Sequence, residues 1–148
     1  MRDDDAPNEV QGNVVATADK AVALLQERAG GRLDYSAASL AVVDELLAEA
    51  AGYAGELPEA SVVGLMQQLG CYALEVGRRA FGGTYYWHEE AEQPVLVTGE
   101  PDAHVGLMTW SKAMGRLAGD EGDSLAFLFA GFAARAGTPQ AGDEVLFA

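Results

Sequence analysis

The sequence predicts an α+β fold: helices followed by a three-stranded antiparallel meander packed on a long central helix, then two C-terminal helices. Two observations carry most of this. Val62, Leu65, Met66, Leu69, Ala73, Val76 and Ala80 recur at steps of three and four, the period of one buried helical face. After Gly82-Gly83 the pattern changes to short runs rich in aromatic and β-branched residues, Thr84–His88, Val95–Thr98 and His104–Trp110, separated by brief polar turns. Short turns between consecutive strands favour antiparallel pairing.

Taken in order, residues 1–12 are acidic and polar, with Pro7 and Gly12, and are expected to form a disordered acidic arm. Helical spacing begins at Val14 and runs through Ala18, Val22 and Leu25 to about Arg28, ending at Gly30-Gly31. Leu33-Asp34-Tyr35-Ser36 reads as an extended entry to a second helix, with Ser36 as its cap. Leu40, Val43, Leu47 and Ala50 form that helix's apolar stripe, and Asp44, Glu45 and Glu49 read as its solvated face.

The central helix starts near Leu57 or Ser61, and Pro58 is tolerated in a first helical turn. Gly70 and Gly77 interrupt it, and each Gly costs a helix about 1 kcal/mol against Ala, so another element is expected to approach its backbone closely there. Arg78 and Arg79 suit its carbonyl end. In the first strand Tyr85 and Trp87 share one face, and Thr84, Tyr86 and His88 share the other. Pro94 belongs at a strand start or an edge. Ser111 is expected to cap a short helix and Asp123 or Ser124 the last one, whose buried face is Leu125, Leu128, Phe129, Phe132 and Ala136. Residues 13–137 then make one α+β domain. Residues 138–148 form a tail whose apolar end, Val145-Leu146-Phe147, is expected to dock on the domain rather than on another chain.

At 148 residues a chain buries roughly 70% of its unfolded surface, so it needs neither disulfide nor metal to hold it together. The single cysteine, Cys71, lies mid-helix and reads as a small apolar packing residue. The net charge is −14, and no Lys or Arg occurs between Leu33 and Gly77. Such a surface repels the phosphates of nucleic acid and of anionic lipid; its plainer reading is solubility, and it also suits a basic protein partner. No membrane span and no secretory signal is legible, which makes the cytoplasm the expected location. Scarce Lys, preferred Arg and abundant Ala and Gly are those of a GC-rich bacterial source.

The runs LDYSAASLAVVDELL, LGCYALEVGRRAFGGTYYW and DSLAFLF resemble uncharacterised actinobacterial domains of unknown function. Those share an L-D-Y-S helix entry, a G-x-Y-x-x-E-V-x-R-R helix, a Gly-Gly-aromatic strand and a closing helix opened by D-S-L. The resemblance covers roughly residues 33–136, with Leu74 where that pattern places a Gly. It implies an α+β fold and no established activity.

No phosphate loop, dinucleotide Gly motif, H-E-x-x-H, G-x-S-x-G or cysteine-pair zinc motif is present, and no catalytic residue, metal ligand set or cofactor is assigned. Two constellations remain. Tyr72, Glu75 and Arg79 on the polar side of the central helix, with Tyr86 and His88 from the strand, can line a small-molecule pocket; the plainer reading is an ion pair capped by packed aromatics. His88 with Glu89 and Glu90, together with His104, could meet at one end of the meander; the plainer reading is two surface histidines beside acidic turns. The leading functional expectation is a non-enzymatic protein-interaction domain acting on a protein partner through its acidic, aromatic-bearing surface, with a basic partner and an immunity- or inhibitor-like role as its sharpest version. The alternatives are a ligand-binding or enzymatic domain using Glu75, Arg79, Tyr86 and His88, and a homodimer whose interface uses the exposed aromatic sheet face or the tail.

Overall fold

A computed structural model of the chain describes residues 5–148. Five helices and a four-stranded sheet follow the order α1 (Asp5–Leu25), α2 (Ser39–Ala51), α3 (Glu59–Phe81), β1 (Thr84–His88), β2 (Gln93–Thr98), β3 (His104–Leu107), α4 (Trp110–Leu117), α5 (Leu125–Ala136) and β4 (Glu144–Phe147). The fold is α+β, with the expected order of helices, meander and closing helices. The first helix departs from expectation at its start. It includes residues 5–12, assigned above to a disordered arm, because Val10 lies one turn before Val14 and packs half-buried against the core. Residues 1–4 of that arm lie outside the described residues.

The central helix α3 starts with Pro58 as its N-cap and Glu59 in its first turn, and it ends at Gly82, whose φ is 76°. Its two interior glycines are contact points. A Cβ on Gly70 would stand 2.6 Å from Cδ1 of Trp110, and one on Gly77 would stand 3.0 Å from Leu96 and 3.3 Å from Phe132. The bare backbone therefore admits α4, the sheet and α5 against one helix.

The strands pair in the order β1-β2-β3-β4. β1 to β3 form the antiparallel meander, with Tyr85 opposite Leu96 and Leu96 opposite Leu107. The sheet has a fourth strand that the sequence reading takes for a docked tail. β4 lies parallel to β3, with Val145 opposite Val105 and Phe147 opposite Leu107. Docking thus takes the form of strand addition, which satisfies the outer edge of β3 as well as burying Phe147 against Phe132.

Among the described residues the helices sit on one face of the sheet. Tyr85, Leu96, Val105 and Leu107 point into the core beneath α1, α3 and α5. α2 packs on α4 and α5. Asp44 corrects another expectation. It is no part of a solvated face: it is buried and accepts bonds from the N–H groups of Leu125 (2.8 Å) and Ala126 (3.1 Å) and from the Ser124 hydroxyl (2.7 Å). Ser124 in turn caps α5 by accepting from the N–H of Phe127. One carboxylate of α2 thereby anchors the start of α5. Ser36 accepts from the Ser39 N–H at 3.2 Å, and α2 begins three residues after it. Thr109, not Ser111, occupies the N-cap of α4.

Candidate functional site

Two regions compete, and their geometry separates them. The first is built on Glu75 of α3, whose side chain is 0% exposed. Arg78 reaches back one turn and donates from Nε to Oε2 (2.6 Å) and from Nη2 to Oε1 (2.9 Å). Arg79 Nε adds a longer bond to Oε1 at 3.4 Å, and the Tyr85 hydroxyl donates to Oε2 at 2.8 Å. Burial raises the carboxyl's pKa, but the bonds from Arg78 and Tyr85, the Arg78 charge and the Arg79 bond outweigh it, and the group ends below the usual carboxylate value. Burial and the adjacent carboxylate push the Tyr85 hydroxyl far above an ordinary phenol.

Beside this cluster Arg79 lies over the ring of Tyr35, 3.5 Å from its centroid, and Tyr35 stacks on Tyr72 at 4.7 Å. Tyr35 has φ 63°, an uncommon value for a residue with a Cβ. Its backbone N–H donates to the Tyr72 hydroxyl (2.8 Å) and its own hydroxyl donates to Asp19 (2.7 Å), so the strained entry to α2 is held from both sides. Tyr72 also shares a bond with the Ser39 hydroxyl at 2.7 Å.

The structure brings Tyr72, Glu75 and Arg79 together on one side of α3, with Tyr72 and Glu75 buried and Arg79 43% exposed at the margin. Tyr86 and His88 are not with them. Strand alternation turns Tyr85 inward, and Tyr86 points to the opposite face, where its hydroxyl bonds Glu100 at 3.0 Å. His88 Nδ1 accepts from the Ala91 N–H. Both oxygens of Glu75 are engaged by donors, which leaves no free base. The cluster ties α3 to β1 and the α2 entry.

The second region is the outer face of the sheet. Register places Tyr86 and His88 of β1, Val95 and Val97 of β2, His104 and Gly106 of β3, and Glu144 and Leu146 of β4 on this side. A shallow depression of about 320 Å³ runs across it, lined by strand residues alone, with His88, His104 and Glu144 among them. Val95 is buried yet lies outside the core cluster, shielded by its sheet neighbours. Tyr86 is 37% exposed and Leu146 50%. The turns at the ends carry Glu89, Glu90, Glu92, Glu100 and Asp102, and no Lys or Arg occurs from Ala80 to Ser111 or after Arg135.

Of the two readings of His88 and His104, the register rules out their meeting at one end. β1 and β3 both run antiparallel to β2, so the end of one and the start of the other lie at opposite ends of β2. His88 pairs with Gln93, and His104 lies beyond the Thr98–Val105 pair. Among the described residues no group of three or more His, Cys, Asp or Glu side chains is placed to hold a metal ion. Sequence reasoning named an exposed aromatic sheet face but not the apolar centre that Val95, Val97 and Leu146 give it. The signal for that centre was the alternation of Val95 and Val97 with Leu96, which reads as a plain apolar run until the register shows which face has cover.

Comparison of the chain with protein-family models, with curated proteins and with solved structures finds no match. Among the described residues no helix is long and apolar enough to cross a membrane.

Proposed function

We propose that this chain is a non-enzymatic protein-interaction domain whose binding surface is the outer face of the sheet and whose partner is a basic protein. The observation behind the reading is the make-up of that face. Its centre is apolar, with Val95, Val97 and Leu146 and one tyrosine, and its rim is acidic. An apolar centre within a polar rim is the anatomy of a protein interface. The uncompensated acids at both ends of the strands steer basic partners toward the face and repel acidic ones. Self-association through the same face fits less well, because a two-fold contact would bring two acidic rims together. The small-molecule reading on Glu75 loses ground because donors already occupy that carboxylate.

Affinity capture from native lysate with paired baits tests this. One bait is the wild type and the other carries Val97→Glu and Leu146→Arg, two substitutions on the outer face away from the core. The reading expects a basic protein retained by the wild type, lost from the variant and released by high salt. Identical retention on the two baits, with the variant's melting curve unchanged, contradicts it.

A further inference from the structure

The two edges of the sheet differ. β1 lies against α1, whereas β4 has β3 on one side and, among the described residues, no strand on the other. In a parallel ladder alternate residues of a strand bond its neighbour, and the residues between them point away. Here the N–H of His104 donates to the Asp143 carbonyl and that of Met108 to the Phe147 carbonyl, both at 2.8 Å. Asp143, Val145 and Phe147 therefore face β3, and the N–H and C=O groups of Glu144 and Leu146 point outward. The usual guards of an open edge are sparse. The register of β4 runs unbroken from Glu144 to Phe147, which leaves no bulge, and the strand holds no Pro and a single charge.

Beside this edge α5 leaves a second surface uncovered. A surface helix normally turns polar residues outward, but Arg135 is the one polar side chain of α5. Its buried residues face α2, α3 and the sheet. Phe127, Ala130, Gly131 and Ala134 are exposed on the other side, Phe127 to 80%. This face adjoins β4: a Cβ on Gly131 would stand 3.3 Å from the Phe147 ring, and Arg135 bonds Asp143 at 3.1 Å. Open main chain and bare apolar helix thus lie on one side of the molecule.

Charge and symmetry select what covers them. From Ser124 to Gly142 no Asp or Glu occurs, the longest such run in a chain of net charge −14. Two copies meet least repulsion here. A two-fold axis perpendicular to the sheet pairs β4 antiparallel with its counterpart. Because α5 lies over β3 and β4, the same axis lays α5 antiparallel beside its own counterpart. Glu144 then stands opposite Leu146 of the second copy, which satisfies the outward groups of both strands without opposing like charges. Glu121 and Asp123 precede α5 and Arg135 closes it, so antiparallel contact also brings unlike charges together.

We infer that the protein forms a two-fold dimer through the outer edge of β4 and the exposed face of α5, joining two sheets into one. The inference stands apart from the outer-face reading, since pairing edge to edge leaves both outer faces open. A short edge and one helix make an interface near the low end of stable ones, about 1,200 Å² in total, so the dimer is weak.

Sedimentation of the full chain tests this. Between about 10 μM and about 1 mM, the range of a small interface, the mass is expected to rise from 15.5 kDa toward twice that value. Added salt is expected to favour the dimer by screening two acidic chains from each other, whereas it releases a basic partner from the outer face. Hydrogen exchange at the Glu144 and Leu146 amides is expected to slow as the dimer forms. Phe127→Glu places an acid three residues after the Ser124 cap, the spacing of a capping box, so the fold is kept. Leu146→Pro removes an outward N–H and spares the bonds to β3. Each substitution is expected to weaken association at least tenfold. The inference is overturned if the wild type keeps the mass of one chain throughout, or if masses beyond two chains appear. It is equally overturned if exchange at both amides ignores concentration, or if either folded variant associates like the wild type. Should Leu146→Pro not fold, Phe127→Glu and the amide exchange decide the matter.

Discussion

Four side-chain hydrogen bonds converge on Glu75, and its removal has a definite expected cost. Glu75→Ala leaves Arg78 and the Tyr85 hydroxyl without their acceptor. Breaking a buried ion pair by deleting one partner costs about 3–5 kcal/mol. Arg78 is 28% exposed and can turn part of its charge to water, so the low end, about 3 kcal/mol in urea unfolding, is expected. The carboxyl also sets an acid limb. Its folded pKa lies below the ordinary value, so its contribution is complete above the unfolded pKa of about 4.3. That contribution is lost as pH falls from there through the folded pKa, because the unfolded state takes up the proton first. Stability measured from pH 6 downward should fall less steeply in Glu75→Gln than in the wild type. The partnership of Glu75 with Arg79 is legible in the sequence from i,i+4 spacing. That of Tyr85 is not, because adjacent tyrosines at 85 and 86 give no sign of which faces the core until the covered face is known.

At the scale of elements, the sequence exposes what is periodic and local. The helices α2, α3 and α5, the Gly82 stop and the meander follow from apolar spacing and turn residues. Gly70 and Gly77 mark close approaches because a helix interior otherwise disfavours glycine. Pairings between distant segments stay hidden. β4 reads as a tail because four residues of extended chain make sense only beside β3. Asp44 reads as solvent-facing because its partners lie some eighty residues on. The Asp44 bonds carry a prediction at this scale. Asp44→Ala removes acceptors from two free N–H groups of α5 and from the capping hydroxyl of Ser124. A lost cap costs about 1–2 kcal/mol, so a drop of this size in the unfolding free energy is expected. Native-state hydrogen exchange should speed up most at Leu125 and Ala126. Exchange that changes equally along the whole chain would place the role of Asp44 elsewhere.

At the scale of the molecule, the sheet is covered on one side by α1, α3 and α5 and, among the described residues, bare on the other, and the charge follows this division. Arg78 and Arg79 are drawn into the Glu75 cluster. The strands and their turns carry acids without Lys or Arg. The net charge of −14 was legible from composition and argued against nucleic acid from the start. Its relation to an apolar face was not legible, because it depends on strand register and on β4. The two histidines of the chain give the most direct measurement, since both border the outer depression and the chain has no others. Their rates of carbethoxylation, followed by mass spectrometry, should fall when the protein is mixed with the basic protein fraction of a native lysate and recover at high salt. The acidic fraction should leave them unchanged. Equal labelling in buffer, in the basic fraction and in the acidic fraction would contradict a basic protein partner on this face.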